Sequence, residues 1–509
     1  MQKRTLSFAE YRDKVLGCWH GKNIGGTLGA PFECLRGVFD IDHYTQELGG
    51  EPLPNDDLDL QLVWLNAAER FGSRIDAQIL GEYWHWFITP HWAEYGAGRN
   101  NMRAGMLPPL SGYVNNRFRD SCGAFILSEI WACLVPGDPE GAARYAFEDA
   151  CVDHAGEGLY AEVFCAAVES AAFVVQDTAA LIDIGLSYIP ADCGVSRAVR
   201  CVQRCHAEGL DWRAARRRLL IEEPGSFGAM GTPREQMDPD IPVAEPGYDA
   251  PSNIGIIIIG WLYGEGDLGR SICIAAGCGE DADCTAGTLG ALLGILHGGA
   301  ALPEKWLAPL GGKIKTKCIN VADVGLRIPA TVDELTDRLL RLTPTFLGPE
   351  RCDVLSGPGY TVAVKAPEEM LCRERAINAY FGTSFSETLS RSPFVVRFES
   401  TLYTVLLDYG GEPFIRAGEP RTLRLTVLNG FLMQQWLQIR WHCPDDWTVT
   451  PGRKAEDTLE SYYCNEGKTT FTFTFTAETL TDSRFDLVAE ISSVGHHTRA
   501  FVPVALYAR

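Results

Sequence analysis

Apolar side chains recur three and four positions apart through the first two thirds of the chain, from Phe8 to about Leu342. The spacing is clearest in one segment in which four leucines fall at i, i+3, i+4 and i+7: Leu289, Leu292, Leu293 and Leu296. This period places one apolar stripe along an α-helix, and Gly, Pro and Asp clusters divide the pattern into successive helices. The sequence therefore predicts an all-helical domain over residues 1–345.

Beyond Pro344 the pattern changes from a helical period to an alternation of apolar and polar residues. Residues 422–428 and 470–476 show the alternation best. A period of two is typical of strands that bury one face. The sequence predicts a mixed linker over residues 346–390 and an all-β sandwich of the immunoglobulin or fibronectin kind over residues 391–509. The predicted fold class is thus multidomain, with an all-α domain followed by an all-β domain.

Composition narrows the class of protein and its partners. The 509-residue chain is longer than one hydrophobic core normally supports, and its 46% apolar content can fill two cores. A formal charge of -21 argues against nucleic acid or an anionic membrane as a partner, because both require basic patches. We see no signal-peptide pattern and no apolar run of membrane-spanning length, so we expect a cytoplasmic protein. The 17 cysteines are scattered without Cys-x-x-Cys pairs, which favours reduced thiols.

Two acidic segments each precede a predicted helix. The first is Asn55-Asp56-Asp57, and the second contains Asp281 and Asp283. Carboxylates packed this closely repel one another unless protons or cations intervene, and hard divalent ions prefer oxygen ligands. Either segment alone fits the frequent use of Asp at helix N-termini. Together they contain more acids than capping requires, which favours one oxygen-rich metal site.

Four motifs in this order resemble the ADP-ribosylglycohydrolase family. They are residues 25–33 (GGTLGAPFE), the Asn55-Asp56-Asp57 segment, residues 136–139 (PGDP) followed by Asp153-His154, and residues 279–294 (GEDADCTAGTLGALLG) followed by residues 303–306 (PEKW). The last motif is the most specific. The resemblance covers residues 8–310, and it implies a helical hydrolase that cleaves ADP-ribose from protein side chains or related acceptors.

The resemblance also implies a set of site residues. Two Mg²⁺ ions would be held by side chains of both acidic segments: Asn55, Asp56, Asp57, Asp281, Asp283 and Cys284. Glu33 and Asp57 would be the catalytic residues, with a carboxylate positioning the attacking water. Cys284 stands where the family often has Thr, and a thiol is a poor ligand for a hard ion. We therefore expect the second ion to bind less firmly than the first.

Two further departures from the family pattern bear on the substrate. Gly26 stands where family members usually have an acid, and the arginine often found in the middle glycine-rich motif is absent near Gly123, where the chain has Glu129 instead. Without that arginine, we expect a furanosyl or nucleoside-like substrate as readily as an ADP-ribosyl one.

Candidate substrate-binding residues lie between the two acidic segments. The densest aromatic stretch of the chain leads into a polar segment, and a lone histidine precedes a helix rich in small residues; the candidates are Tyr95, Asn100, Gly123, Glu129 and His154. Aromatic rings can stack on a sugar, and histidine can transfer protons near neutral pH. Aromatic residues at helical spacing and a lone histidine are also common in protein cores, and that alternative stays open.

The sequence leaves three classes of function. The first is a magnesium-dependent hydrolase of an N- or O-glycosidic bond at the anomeric carbon of a ribofuranosyl-type sugar, acting on a small-molecule or glycosylated substrate. The second is a non-catalytic binding or structural protein, and the third is a dinuclear-metal phosphohydrolase. The oligomeric state stays open, a homo-oligomer included. The Gly- and Pro-rich residues 223–252 are too many for a simple connection, so we expect them to cover a site.

Overall fold

The computed structural model describes six segments of the chain: residues 5–320, 325–354, 359–372, 392–430, 433–461 and 467–509. The chain divides into two compact units. The first comprises Met1–Asn100 and Ser111–Arg373, and the second comprises Asn101–Leu110 and Glu374–Arg509. The predicted domain limits of 1–345, 346–390 and 391–509 stay a prediction.

The all-helical prediction for the first part of the chain is confirmed. The α-helices are α1 (Phe8–Gly29), α2 (Asp56–Phe71), α3 (Ala77–Phe87), α4 (Ala93–Arg103), α5 (Leu110–Tyr113), α6 (Ser128–Leu134), α7 (Pro139–Ala150), α8 (Glu157–Ala172), α9 (Thr178–Leu186), α10 (Gly194–Ala207), α11 (Trp212–Glu222), α12 (Ala250–Tyr263), α13 (Leu268–Gly277), α14 (Ala282–His297), α15 (Glu304–Leu307) and α16 (Val332–Leu347). Many begin at an Asp, Asn, Ser or Thr whose side chain accepts a hydrogen bond from the first turn, which satisfies a backbone donor that the helix itself leaves unpaired.

Helices α1 and α14 pack with their backbones in contact along a stripe of small residues. Glycines recur every four residues on α1 and face small residues of α14, so that Gly21 lies against Gly290 and Gly25 against Ala286. A Cβ added at Gly21 or Gly25 would lie 1.9 Å from the facing carbonyl oxygen, which only glycine can avoid. The antiparallel contact places the N-terminus of α14, with its acidic motif, beside the C-terminal half of α1.

Helix α2 begins at the same place. Asn55 is its N-cap, and its side-chain oxygen accepts a hydrogen bond from the backbone N–H of Asp57 at 2.9 Å. Position 26 faces this cap, because a Cβ added at Gly26 would lie 2.7 Å from Asn55 Nδ2. The glycine that departs from the family pattern therefore makes room for Asn55.

A small antiparallel sheet completes the first unit, with strand order β1-β3-β2. Its strands are β1 (Thr5–Ser7), β2 (Cys352–Asp353) and β3 (Thr361–Ala363). The sequence pattern did not predict this sheet, because strands of two or three residues are too short to show alternation.

The predicted β-sandwich is confirmed as two five-stranded sheets in the second unit. Their strands are β4 (Val395–Glu399), β5 (Tyr403–Asp408), β6 (Phe414–Ile415), β7 (Arg421–Asn429), β8 (Gln435–His442), β9 (Thr448–Thr450), β10 (Lys454–Leu459), β11 (Lys468–Thr476), β12 (Arg484–Ser493) and β13 (Arg499–Ala508). The strand orders are β10-β8-β12-β13-β6 and β4-β5-β7-β11-β9.

Alternation along the strands fills the core between these two sheets. On β11, Phe471, Phe473 and Phe475 are buried while the intervening threonines are more exposed. Trp441 of β8 reaches across from the other sheet and packs edge-on against Phe475, with ring centroids 4.8 Å apart. Large aromatic side chains of this kind supply much of the apolar area that a sandwich buries.

Within the described residues, none of the helices combines the length and the apolar character that crossing a membrane requires.

Candidate metal centre

The two acidic segments meet in the first unit. Five carboxylates make up what we call the acidic cluster: Glu33, Asp56, Asp57, Asp281 and Asp283. Asp57, Asp281 and Asp283 are each at most 3% exposed, whereas Glu33 and Asp56 are more accessible to solvent. The cluster therefore has a buried floor of three carboxylates and an accessible side.

Four carboxylates of the cluster, together with Cys284, fall into two groups with the spacing of metal ligands. One group is Glu33, Asp281 and Asp283, and the other is Asp57, Asp283 and Cys284. Within each group the three ligand atoms lie within 4.8 Å of one another. Asp283 belongs to both groups, as expected of a ligand shared by two adjacent ions.

Several oxygens in the cluster lack hydrogen-bond donors. Oδ1 of Asp281 and Oδ1 of Asp283 are buried and have no hydrogen-bond partner among the described residues. The other oxygen of Asp281 accepts a hydrogen bond from Cys122 Sγ at 2.8 Å, and that of Asp283 accepts one from Asn55 Nδ2 at 3.4 Å. Buried oxygens without donors are costly unless a cation binds them, so these side chains fit a hard metal ion.

The raised pKa values of the buried carboxyls also support a metal site. Burial raises the pKa of the Asp57 carboxyl to about 7, against the lowering effect of the Lys22 ammonium. Burial and the Glu33 carboxylate raise the pKa of Asp283 to about 7, and burial and Asp283 raise the pKa of Asp281 well above its usual range. A divalent cation would reverse these shifts, because it favours the ionised form of every carboxyl beside it.

Glu33 is held at the edge of the cluster by a short backbone pairing. It directly follows a 3₁₀ turn (Ala30–Phe32) at the end of α1. The next residues pair with the residue before Asp281, since Cys34 N donates to Glu280 O at 3.0 Å and Glu280 N donates to Leu35 O at 2.8 Å. Burial and the Asp56 carboxylate raise the pKa of the Glu33 carboxyl.

A buried lysine that sequence reasoning missed supports Asp57. Lys22 Nζ lies 2.8 Å from Glu129 Oε1 and 3.4 Å from Asp57 Oδ2, and it donates to the Thr288 hydroxyl at 3.2 Å. Burial alone would lower the pKa of Lys22, but Glu129 and Asp57 raise it above its usual value. In the sequence, Lys22 directly follows Gly21, one of the α1 glycines that face α14. A lysine among these glycines was the sequence signal that could have identified it.

Glu129 therefore lies deeper in the protein than we expect of a residue that contacts the substrate. Its side chain is fully buried, paired with Lys22, and accepts a hydrogen bond from Gln61 Nε2 at 2.8 Å. It reaches the acidic cluster through Lys22 and through Gln61, whose Nε2 also donates to the Asp57 carbonyl oxygen at 3.0 Å. Its assignment to substrate binding stays a prediction, but these contacts favour a supporting role.

Asp56 faces the accessible side of the cluster with two partners. Tyr95 donates a hydrogen bond from its hydroxyl to Asp56 Oδ2 at 3.2 Å, and Lys317 Nζ lies 3.4 Å from Asp56 Oδ1. The Tyr95 ring is buried and packs at 5.2 Å against the ring of Trp84. The structure thus brings Tyr95 to the acidic cluster. Asn100, five residues further along α4, is exposed.

His154 and Gly123 belong to a second buried polar group. His154 Nδ1 lies 2.8 Å from Asp153 Oδ1, and its Nε2 lies 3.0 Å from Ser121 Oγ. Burial would lower the pKa of His154, but the carboxylates of Asp153 and Glu94 raise it. A Cβ added at Gly123 would lie 2.2 Å from Glu94 Oε1, so a larger residue there would displace the Glu94 carboxyl group.

Cys122 links this polar group to the acidic cluster, since it follows Ser121 in the chain and donates to Asp281. No local sequence signal marked Cys122, because an isolated cysteine between a serine and a glycine has no pattern of its own. The link arises only from the tertiary fold.

Residues 223–252 are hydrogen-bonded to residues on both sides of the cluster. Gly228 N donates to Glu280 Oε2 at 2.9 Å, Gly231 N donates to Cys34 O at 2.9 Å, and Arg36 N donates to Thr232 Oγ1 at 2.7 Å. The segment therefore lies against the residues that flank Glu33 and Asp281.

Comparisons with known proteins bear on the first unit. The family model described as ADP-ribosylglycohydrolase matches residues 7–345. No curated protein was found to match the chain. The chain is similar to a solved structure described as "ADP-ribosylglycohydrolase-related protein complex", with 19% identity, a TM-score of 0.43, and coverage of 66% of this chain and 99% of the other.

A second solved structure is the "ASH / PapD-like domain of human CEP192 (PapD-like domain 7)", with 12% identity, a TM-score of 0.16, and coverage of 22% of this chain and 88% of the other. The family model spans well over half of the chain and contains both acidic segments. The chain belongs to the ADP-ribosylglycohydrolase family.

Proposed function

We propose that the protein is a magnesium-dependent glycohydrolase that cleaves an N- or O-glycosidic bond at the anomeric carbon of a ribofuranosyl-type sugar. The observation that carries the proposal is the acidic cluster, in which three buried carboxylates with donor-free oxygens lie beside the more accessible Glu33. Family membership supports glycohydrolase chemistry of the ADP-ribosyl type. Magnesium and the kind of furanosyl substrate are our own extension.

Mg²⁺ bound by these carboxylates would polarise oxygen ligands and offset negative charge near the reacting sugar. The residues to hold it are Asp57, Asp281 and Asp283, with Asn55 and Asp56 at the start of α2. The Asn55 amide and the backbone pairing at Glu280 fix these side chains before substrate arrives, so little reorganisation is needed on binding.

Glu33 is the best candidate to act on the attacking water. It is one of the two accessible carboxylates of the cluster, and the backbone holds it on both sides. The other, Asp56, is engaged by Tyr95 and Lys317. In the reaction, the bond from the anomeric carbon to nitrogen or oxygen breaks, and water supplies a hydroxyl group to the carbon and a proton to the leaving group. Glu33 would accept a hydrogen bond from that water and orient it, while Asp57, held by Lys22, lies on the buried side.

The residues near the acidic cluster are compatible with two classes of substrate, which differ in the leaving group. Residues 121–129 contain no arginine, and Glu129 in this segment is buried against Lys22. A diphosphate would thus lack the cation that the family often provides there. A furanoside or nucleoside-like compound needs no such cation, so it is as well supported as an ADP-ribosylated side chain.

The test is release of reducing sugar from a panel of ADP-ribosyl-arginine, ADP-ribosyl-serine, nucleosides and synthetic furanosides, with and without Mg²⁺. We expect magnesium-dependent release from one member, and no release by a Glu33→Gln variant that still binds metal. Release that persists in chelator would contradict the metal requirement. Release of inorganic phosphate in place of sugar would favour the phosphohydrolase, and metal binding without turnover of any member would favour a binding protein.

A further inference from the structure

The two ligand groups of the acidic cluster differ in the atoms they offer. Glu33, Asp281 and Asp283 offer oxygen only, whereas Asp57, Asp283 and Cys284 include a sulfur. Cys284 is 8% exposed and lies on the first turn of α14, where its Sγ donates to Asp57 Oδ1 at 3.3 Å. The thiol thus points into the cluster and toward the same carboxylate that Lys22 supports.

The group with the sulfur also has unsatisfied oxygens. Oδ1 of Asp283 has no hydrogen-bond partner among the described residues. Asp57 Oδ2 likewise has no hydrogen-bond donor there, although it forms an ion pair with Lys22 Nζ at 3.4 Å. The structure therefore has two buried carboxylates and one buried thiol converging on a small volume.

Donor softness distinguishes the ions that the two groups would take. Oxygen-only sites suit Mg²⁺, which demands hard ligands, while a thiolate among carboxylates suits a borderline ion such as Zn²⁺. Zn²⁺ is also commonly bound by sets of three protein ligands with a remaining open position.

We propose that the Asp57–Asp283–Cys284 group selects Zn²⁺ over Mg²⁺, so that the cluster would be a mixed centre. Asp57 would then hold the zinc ion, and Mg²⁺ would be left to the oxygen-only side chains around Asp281 and Asp283. This inference rests on the proposed function, because it takes the acidic cluster to be a metal site, and it adds the identity of the second ion. Binding replaces the S–H bond of Cys284 with a sulfur–zinc bond and releases one proton to solvent, and no electron is transferred. Asp283 belongs to both groups and would be available to both ions.

The experiment is a Co²⁺ titration of the full-length, metal-stripped protein, followed by displacement with Zn²⁺ or Mg²⁺. Co²⁺ bound to a thiolate gives a strong near-ultraviolet charge-transfer band that oxygen ligands do not give. We expect the band in the unmodified protein, its removal by low Zn²⁺ concentrations, and its persistence in millimolar Mg²⁺. In Cys284→Thr the band is expected to be lost, and the ratio of Zn²⁺ to Mg²⁺ affinity to fall at least about tenfold.

Matched variants identify the sulfur. The double variant Cys201→Ser and Cys205→Ser removes two thiols one helical turn apart on α10, and it should keep the band. Cys122→Ser removes the thiol that contacts Asp281, and it should also keep the band. A band that survives in Cys284→Thr, or that is lost in Cys122→Ser, would overturn the proposal, as would no band in the unmodified protein. Cys284→Ser, with folding checked by circular dichroism, covers the case in which the threonine variant misfolds.

These outcomes are separable from those of the proposed function. A charge-transfer band in a protein that releases no sugar would contradict the glycohydrolase and leave the zinc group intact. Magnesium-dependent sugar release without a band would contradict the zinc group and leave the glycohydrolase intact.

Discussion

Glu280 and Asp281 are adjacent in the chain and both are buried, yet their surroundings are opposite. Glu280 Oε1 accepts from Arg36 Nε at 2.7 Å, and Glu280 Oε2 accepts from Arg36 Nη2 at 3.1 Å and from Gly228 N at 2.9 Å. Asp281 has one oxygen bonded only to a thiol and another with no donor among the described residues. The protein supplies hydrogen-bond donors to both oxygens of Glu280, whereas Asp281 lacks a donor for one of its oxygens.

The difference teaches how to separate structural acids from ligand acids. A buried carboxylate is tolerated when fixed donors or a paired cation offset its desolvation. Glu280 has both, and it ties residues 223–252 to the backbone beside Glu33. Asp281 and Asp283 each have an oxygen with no donor among the described residues, and their ligand atoms also converge with that of Glu33 within 4.8 Å. The two conditions together, a missing donor and convergence with other carboxylates, are expected of side chains that bind a metal.

The largest effect is expected at Asp283, which both ligand groups share. Asp283→Asn should lower turnover by about 10³-fold, because one carboxylate is removed from both ion positions. It should leave the thermal stability of the metal-free protein unchanged or raised, since a repelling buried charge disappears. Turnover in the assay above and thermal unfolding with and without Mg²⁺ measure the two effects.

The matched control for Asp283→Asn is Asp267→Asn. Asp267 is also an acid at a helix start, but its side chain is exposed and accepts from Arg270 N at 2.7 Å as an ordinary cap. Asn is an equally good cap, so neither turnover nor stability should change. If metal-free Asp283→Asn were destabilised enough to account for its loss of turnover, Asp283 would instead be a structural acid.

Glu280→Gln is expected to give the reverse result. It leaves the buried Arg36 guanidinium without a counter-charge, so the free energy of unfolding should fall by about 3 kcal/mol. Metal affinity, measured at a temperature where the variant is folded, should change much less than in Asp283→Asn. The surface pair of Glu265 and Arg270 provides the control, because Glu265→Gln should cost less than about 1 kcal/mol. Equal losses in the two variants would show that Glu280 is not the support we describe.

Glu94 allows a test by pH away from the metal ligands. Burial raises the pKa of its carboxyl to about 7, with His154 opposing the rise and Asp153 adding to it. Because the folded pKa lies above the unfolded one, ionisation of Glu94 costs stability as pH rises from about 4.5 to 7. Glu94→Gln should match the unmodified protein at pH 4 and exceed its free energy of unfolding by about 2 kcal/mol at pH 8. Denaturant unfolding at both pH values measures this, and an equal difference at the two would contradict the assignment.

The sequence predicted the elements whose pattern is long enough to repeat. Leu289 to Leu296 lie on α14 and the Phe–Thr alternation lies on β11, because both patterns report burial of one face. The acidic segments were also predictable as one site, since two groups of acids at helix starts exceed what capping needs. The structure brings both segments together at Asp283.

The rest depended on contacts between residues distant in the chain. Lys22, Cys122 and Lys317 reach the cluster only through tertiary packing. Of the three, only Lys22 had a local signal, a lysine among the glycines of α1. Glu129 looked like a substitute for a binding residue in the sequence, but the fold buries it against Lys22. Local sequence reports which side chains are unusual, whereas the partners that decide between a structural and a functional role come from the fold.

The smallest effect is expected at Lys317, on the accessible side of the cluster. Asp59 accepts from the backbone N–H groups of Lys317 and Cys318 at 2.6 and 2.7 Å, which holds the lysine ammonium 3.4 Å from Asp56 Oδ1. The ammonium is a competing cation for a carboxylate that a metal would use, but it is 42% exposed, so the competition is worth about 1 kcal/mol or less.

Lys317→Gln should therefore tighten Mg²⁺ binding by about two- to fivefold, measured by calorimetric titration at low ionic strength. The gain should shrink in high salt, because screening already weakens an exposed pair. Lys313→Gln is the control, since Lys313 pairs with Glu51 at the surface and not with the cluster. Weaker Mg²⁺ binding in Lys317→Gln would mean that the lysine stabilises the metal-bound state or binds the substrate. Asp56 would then be an acid whose charge the protein itself offsets, as Glu280 is.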